Sequence, residues 1–391
     1  MAARPAPGGG RLSGGVVRLF WKLFLSGLAG LLLVVLAALG PVVWTEANCG
    51  APSGGPSPSV IAPSAPSGER PRPVITEAPW KRKLVASYVS YPEWYIVHGY
   101  EDFAAVLGDA DEHAFDYLSS VTGYWTTLCG LARFAASIEQ TAPEWKVTLY
   151  VIGASYGIEM LAKGAYEETI GRLTAYWRGG TKTPEDRFAL EVARDYARFL
   201  QQTPWYEYPF LATLQRLWSD TPFGSDNLVR RIERRLALSL EYGVKAAYAQ
   251  VLRALAGMAP ADLRIRSVVR GLPPPDAAAD DPHIEVVRRL PDGQVLIETP
   301  RYRAYTQIVL RLLERGRTVT EIAGNQRILV TAILPAGSFA DSPVAVQLFS
   351  YPIQSRPGWR RIGLDANIPG LAATVAGVAV AGGTFEHLYD Y

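Results

Sequence analysis

From Leu23 to Trp44 the chain runs 22 residues without a charge, and this stretch restricts the fold more than any other feature. As a helix it extends about 33 Å, enough to cross a hydrocarbon core of about 30 Å. Arg4, Arg11, Arg18 and Lys22 precede it, whereas the following stretch to Gly68 carries only Glu46. The positive-inside rule therefore expects residues 1–22 in the cytoplasm, 23–44 as a transmembrane anchor, and the rest of the chain outside. Trp21 and Trp44 bracket the apolar run, where indoles suit the two headgroup layers. The rival reading is a cleaved signal peptide, with Thr45 and Ala47 as its small residues, but the apolar run exceeds the 7–15 residues of an ordinary signal core. The Ala-, Gly- and Arg-rich composition is compatible with a bacterial source, which makes the inner membrane the expected location.

Residues 45–79 are dominated by Pro, Ser, Gly and Ala, a composition that favours an extended, solvated tether. From 80 to about 260 the apolar residues recur with helical spacing, and an all-α domain of about six helices is expected. Thr183-Pro184-Glu185-Asp186 opens one of them, with Thr as cap and acids against the macrodipole, and Ser225-Asp226 is expected to open the last. The longest apolar helix should start at Pro143 and run towards Trp177. Its uncharged part, Val147 to Ile158, stops at Glu159 and is too short to cross a bilayer.

Short β-branched runs separated by turns begin near Leu263. Residues 261–391 read as an α+β domain. It comprises a hairpin at His283–Thr299, a helix at Tyr302–Arg315, strands at Thr318–Ile322 and Ile328–Leu334, strands around Val346 and Ile362, a helix from Pro369 to about Ala381, and a strand at Thr384–Tyr389. An elaborated ferredoxin-like sandwich is the expected topology.

Composition narrows the function. The 39 Lys and Arg against 37 Asp and Glu give no electrostatic case for nucleic acid. Cys49 and Cys129 form no metal-ligand pattern, no ExxH accompanies the four scattered histidines, and neither a metal nor a cofactor is expected. Cys129 lies in an apolar helical run, so the two cysteines are expected to be unpaired thiols.

Three constellations are candidates for chemistry. Gly153-Ala154-Ser155-Tyr156-Gly157 matches the GxSxG of a nucleophile elbow, but the segments upstream are helical and the only later histidines, His283 and His387, fall in the other domain. Small residues in a packed helix are the expected explanation. The aromatic run Tyr91–Phe103 contains His98 beside Glu101 and Asp102, either a proton-transfer set or a hydrogen-bonded helix face. The pattern Glu159, Lys163, Tyr166 recurs as Glu241, Lys245, Tyr248, so each copy presents one polar stripe on an apolar helix. The two stripes are either separate surface pairs or, if they meet, a buried network flooring a ligand site. Arg230, Arg231, Arg234 and Arg235 are expected to form a solvated basic face.

A non-catalytic accessory or assembly protein of a membrane complex, anchored by a single span, is the reading that needs least. The tryptophans concentrate before residue 219, which suits contact with a membrane-protein partner. The alternatives are an extracytoplasmic binding protein for an apolar or lipid-like ligand, held by Glu159, Lys163, Tyr166, Glu241, Lys245 and Tyr248, and a hydrolase-like enzyme using Ser155 or the His98, Glu101 and Asp102 cluster.

Overall fold

The computed structural model describes residues 14–49, 72–138, 143–255, 263–273, 281–338 and 345–391. Helix α1 (Gly14–Cys49) carries the long apolar run. Along one side of it Trp21, Leu25, Leu28, Leu32, Leu36, Leu39 and Val43 are exposed, while Thr45 and Cys49 near its end are buried. Among the described residues no helix is long and apolar enough to cross a membrane; within α1 the side chains of residues 14–20, 23, 24, 26, 27, 29, 31, 33 and 34 lie outside that set. The expected tether falls mostly on residues 50–71, also outside it, and both flanks are built into the fold. Cys49 is buried, and the backbone N–H groups of Val74 and Ile75 donate to the carboxylate of Glu321 at 2.8 and 2.7 Å.

The expectation of two free thiols is corrected here, because Cys49 and Cys129 form a disulfide with 5.1 Å between their Cα atoms. Cys129 is on the buried side of α4 (Tyr117–Ser137), facing the last turn of α1. The end of α1 is held further by Glu46, which accepts from Lys146 Nζ at 3.1 Å and Tyr150 OH at 2.5 Å, and by Asn48, whose carbonyl accepts from Arg133 at 2.8 Å. The helix is thus clamped to the domain that follows.

That domain is helical, as expected, with α2 (Leu84–Val89), α3 (Tyr91–Asp109), α4, α5 (Pro143–Tyr166), α6 (Arg172–Arg178), α7 (Pro184–Leu200), α8 (Phe210–Asp220) and α9 (Leu228–Leu255). A π-helical turn, Glu167–Gly171, joins α5 to α6, so the chain stays helical from Pro143 to Arg178. The Thr183 cap forms as read: its hydroxyl accepts from Asp186 N at 3.1 Å while Asp186 accepts from Thr183 N at 2.8 Å. Helix α9 opens two residues after Ser225-Asp226, following Asn227 in the left-handed region at φ 54°. Gly153 of the GxSxG sequence lets α5 lie against α4, since a Cβ there would fall 2.2 Å from the ring of Tyr124.

The C-terminal part is α+β, but it holds two four-stranded antiparallel sheets instead of one ferredoxin-like sheet. The first comprises β1 (Arg264–Arg270), β2 (Glu285–Arg289), β3 (Gln294–Pro300) and β4 (Thr318–Ile322), with α10 (Tyr302–Glu314) before β4. The second comprises β5 (Arg327–Pro335), β6 (Ala345–Pro352), β7 (Trp359–Asn367) and β8 (Thr384–Leu388), with α11 (Leu371–Val380) before β8. Their orders, β2-β3-β1-β4 and β6-β7-β5-β8, are one plan built twice. The irregularities recur as well: the pairing shifts between Val268 and Val269 and again between Thr331 and Ala332, the matching position of the second unit. Arg264 pairs with Glu298 across β1 and β3 as Arg327 pairs with Asp365 across β5 and β7. Both helices end alike, with Gly316 and Gly382 at positive φ and the next N–H bonded back to Leu312 and Val378. The strand missing from the sequence reading is β1, whose Arg264 and Arg266 alternate with Ile265 because Glu298 receives both arginines. One apolar core, from Ile265 and Val295 to Leu364 and Leu388, is shared by the two sheets.

The disulfide closes a loop of 80 residues. Reducing it, or making Cys129→Ser, is expected to lower the unfolding free energy by about 2–4 kcal/mol, read by denaturant titration of the full chain in detergent. Superimposable curves with and without reductant would contradict the clamp.

Candidate functional site

Helix α9 carries two interleaved rows. Arg230, Arg231, Arg234, Arg235, Glu241 and Lys245 recur at helical spacing, and so do Val229, Ile232, Leu236, Leu240 and Val244. Apolar periodicity alone would turn the second row inwards. The structure does the opposite: Arg230 and Arg234 are 2% and 1% exposed, while Leu240 and Val244 are 69% and 60% exposed. The expected solvated basic face is therefore corrected to a buried one. The physical reason is the supply of carboxylates from other segments, since a buried guanidinium is tolerable only when its donors are satisfied.

Arg230 donates through Nε to Asp186 at 2.9 Å, and through its two terminal nitrogens to Glu233 and Glu112 at 3.1 Å each. Arg234 meets Glu112 at 3.1 Å, Glu167 at 2.9 Å and Glu233 at 2.5 Å. Arg231 and Arg235 share Glu185, at 3.1 and 2.9 Å, and close the carbonyls of Pro222 and Thr221. Arg178 bridges Asp186 and Asp111 at 2.8 Å each. Five guanidiniums (178, 230, 231, 234, 235) thus face six carboxyls (111, 112, 167, 185, 186, 233). The surplus falls on Glu167, whose pKa is pushed up to about 7 by burial, against the attraction of Arg234 and with added repulsion from Glu112. For Glu112 and Asp186 burial also raises the pKa, but the arginines outweigh it and both end below the ordinary carboxylate range.

The two Glu–Lys stripes do meet, and they pair crosswise. Lys245 Nζ lies 2.7 Å from Glu159 and 3.3 Å from Glu241, while Lys163 Nζ lies 3.1 Å from Glu241. Tyr100 donates to Glu159 at 2.6 Å. Glu159 to Lys245 and Lys163 to Glu241 make α5 and α9 antiparallel, joined by a ladder of alternating charge. The pKa of Glu241 is lowered to about 2, burial being outweighed by its two lysines. Lys245 rises above its usual range because Glu159 and Glu241 overcome its desolvation. Tyr166 extends the ladder into the arginine network, donating to Glu233 at 2.5 Å. Tyr248 stands apart: it is exposed, with its ring 5.2 Å from that of Trp205.

His98 does not belong to the ladder. Helix α3 presents Tyr91, Trp94, Tyr95, His98 and Asp102 to the second sheet, and Tyr100 and Phe103 to the helices behind. Along that seam His98 Nδ1 lies 2.9 Å from Glu101 and Nε2 lies 3.4 Å from Tyr389 OH and 3.7 Å from Glu386. Arg361 grips Glu386 in a fork at 2.7 and 2.8 Å and donates to Tyr351 OH, which meets Tyr91 OH at 2.6 Å. Asp102 receives Ser355 Oγ at 2.5 Å and Gln354 N at 3.3 Å, closing the turn after β6. Glu386 is lowered to about 2, Arg361 and His98 overriding burial. His387, stacked 3.9 Å under Trp94, is pushed down to about 3 chiefly by burial. His98, Glu101 and Asp102 thus join the helical domain to the sheet. Ser155 lies on the exposed side of α5, mid-helix and not on a strand-to-helix turn.

A cavity of about 330 Å³ opens where α3 and α4 meet β6 and β7, lined by Tyr95, Asp102, Ser120, Gly123, Tyr351 and Arg361 among others. None of the four ladder residues lines it. Its polar groups are turned to one another: Tyr95 OH donates to the carbonyl of Ser120 at 2.9 Å, and Ser120 Oγ meets Tyr156 OH at 2.6 Å. Among the described residues no group of His, Cys, Asp and Glu is arranged to hold a metal ion. Compared with known proteins, the chain matches no protein family, no curated protein and no solved structure.

Glu167 supplies a signed pH dependence. Its folded pKa of about 7 exceeds the ordinary 4.5, so between those values the folded state keeps a proton that the unfolded chain has released. Its contribution is full below pH 4.5 and is lost as the pH rises through 7. His387, held neutral in the fold, slopes the other way below 6.5, so the readout is a difference. Relative to Glu167→Gln, the parent chain is expected to lose stability from pH 4.5 to 7 in chemical denaturation. Parallel pH profiles would contradict this assignment.

Proposed function

We propose that the chain is a non-catalytic accessory or assembly protein of a membrane complex, anchored by residues 23–44 in the inner membrane with its folded part outside the cytoplasm. The observation that carries the recognition role is the inversion of α9. Its charges from Arg230 to Lys245 are consumed internally by the arginine network and the ladder, while its outward face, from Val229 through Leu240 to Val251, is apolar. An exposed apolar row of that length is costly in water and is the ordinary mark of a surface made for a partner.

The anchored topology draws on three features. Residues 23–44 carry no charge, and basic residues precede them. Trp21, Leu25, Leu28, Leu32, Val35, Leu36 and Leu39 of α1 are exposed. The Cys49–Cys129 bond lies at the end of α1 away from those basic residues, and disulfides persist in oxidising compartments outside the cytoplasm.

Catalysis has less to draw on, because both ring nitrogens of His98 are engaged and Ser155 sits on a plain helix. A ligand-binding role retains one specific observation, the cavity beside Arg361.

Fractionation tests the proposal. The full chain is expected in the membrane pellet after alkaline carbonate, with residues beyond 72 open to protease from the outer side. A form lacking 1–44 should be released, and a fluorophosphonate probe should leave Ser155 unlabelled. A full chain in the soluble fraction, or one protected from external protease, would overturn the topology.

A further inference from the structure

Among the described residues nothing covers the outward face of α9. Between Val229 and Tyr248 every exposed position of the helix, Ile232, Leu236, Leu240, Val244 and Ala247 included, is uncharged. From Leu228 to Val251 the apolar row exposes roughly 800 Å², above the ~300–600 Å² of the largest patch on an ordinary monomer and close to the ~800 Å² that each partner gives to a stable interface. Gly243 adds a second observation. It lies in the middle of the longest helix of this domain, where glycine is disfavoured relative to alanine. A Cβ built there would meet nothing within 4 Å. Among the described residues no packing calls for glycine at this place. Together with Ala247 it makes a small-xxx-small pair on the apolar side, the arrangement that lets another helix come close.

We propose that α9 pairs with α9 of a second copy of this chain about a two-fold axis, burying the row from Ile232 to Val251 with Gly243 near the crossing. A like face is sufficient as partner because the row holds no charge that would demand an opposite sign, and an isologous contact needs only self-complementary shape. The buried charges contribute indirectly. The ladder at Glu241 and Lys245 and the arginines below it fix the rotation of α9, so the row is presented on a rigid support. Copies held in one membrane plane meet at raised effective concentration, which favours the pair further. This inference rests on reading the outward face as a recognition surface, and it names the partner.

The test places the photoreactive residue p-benzoylphenylalanine at Leu240 of the full chain in its native membrane. The expected product has twice the chain mass and contains this chain alone by mass spectrometry, whereas the same probe at exposed Arg198 on α7 gives none. Adding Gly243→Phe should reduce the Leu240 product at least about tenfold, the scale of losing one central contact. Formation of the Cys49–Cys129 bond in that variant reports that it has folded. A product joining Leu240 to a different protein would overturn the pairing while leaving the recognition surface standing, and one joining it to lipid would overturn both. No product from Leu240, Ile232 or Val244 would overturn both.

Discussion

A guanidinium taken out of water needs acceptors for its donors, and α9 takes several out at once, with Nη1 of Arg235 left without one among the described residues. Arg230 and Arg234 set the terms. The acids that satisfy them come from four places: Glu112 in the turn after α3, Glu167 in the π-helical turn, Asp186 in the first turn of α7, and Glu233 of α9 itself. Asp186 closes the capping box of α7 while also binding Arg178 and Arg230, so the start of one helix and the position of another are a single arrangement. A break in the network leaves unpaired charge inside the domain, which is costlier than losing an equal area of apolar contact. The π-turn is understandable in the same terms. The extra residue it admits breaks the regular α-helical phase where Glu167 reaches Arg234, and such turns often mark positions where side-chain placement outranks helical regularity.

Once the charges are committed inwards, the rest of α9 has no choice of direction. Val229, Ile232, Leu236, Leu240, Val244 and Val251 are left outside, while Leu238, Tyr242 and Ala249 join the core of the helical domain. The disulfide between α1 and α4 clamps the apolar helix to the folded body. The sheets share one core and dock through α3 by the Arg361–Glu386 fork and the tyrosines around it. The result is a body held together by polar networks, with an apolar row left on its surface.

Much of this was legible in the chain. The apolar run, the capped start at Thr183, the helix from Pro143 and most strand positions follow from local pattern, because propensity and turn chemistry act over a few residues. The Glu–Lys stripes could be seen, and their meeting could be posed as a question, since i, i+4 spacing shows which side chains share a face. Which face is buried was not legible. Val229, Ile232 and Leu236 are as periodic as Arg230 and Arg234, and the decision between them lies with Glu112 and Asp186, far away in sequence. Cys49 and Cys129 pose the same difficulty across 80 residues. The doubled sheet unit escaped notice because its halves share plan, pairing shifts and one Arg–acid pair but few residue identities, as Ile265 and Ile328 beside Arg266 and Leu329 illustrate.

The central claim is that α9 is held by its charges and not by its exposed apolar row. It is tested most directly by comparing unfolding free energies of Arg234→Met and Leu240→Gln in the full chain at high dilution in detergent. The account predicts that Arg234→Met costs about 3–5 kcal/mol by leaving Glu112, Glu167 and Glu233 short of a partner, and that Leu240→Gln stays within about 0.5 kcal/mol of the parent. The reverse order, with Leu240 costly and Arg234 nearly neutral, would mean that α9 packs as an ordinary amphipathic helix and would contradict the account.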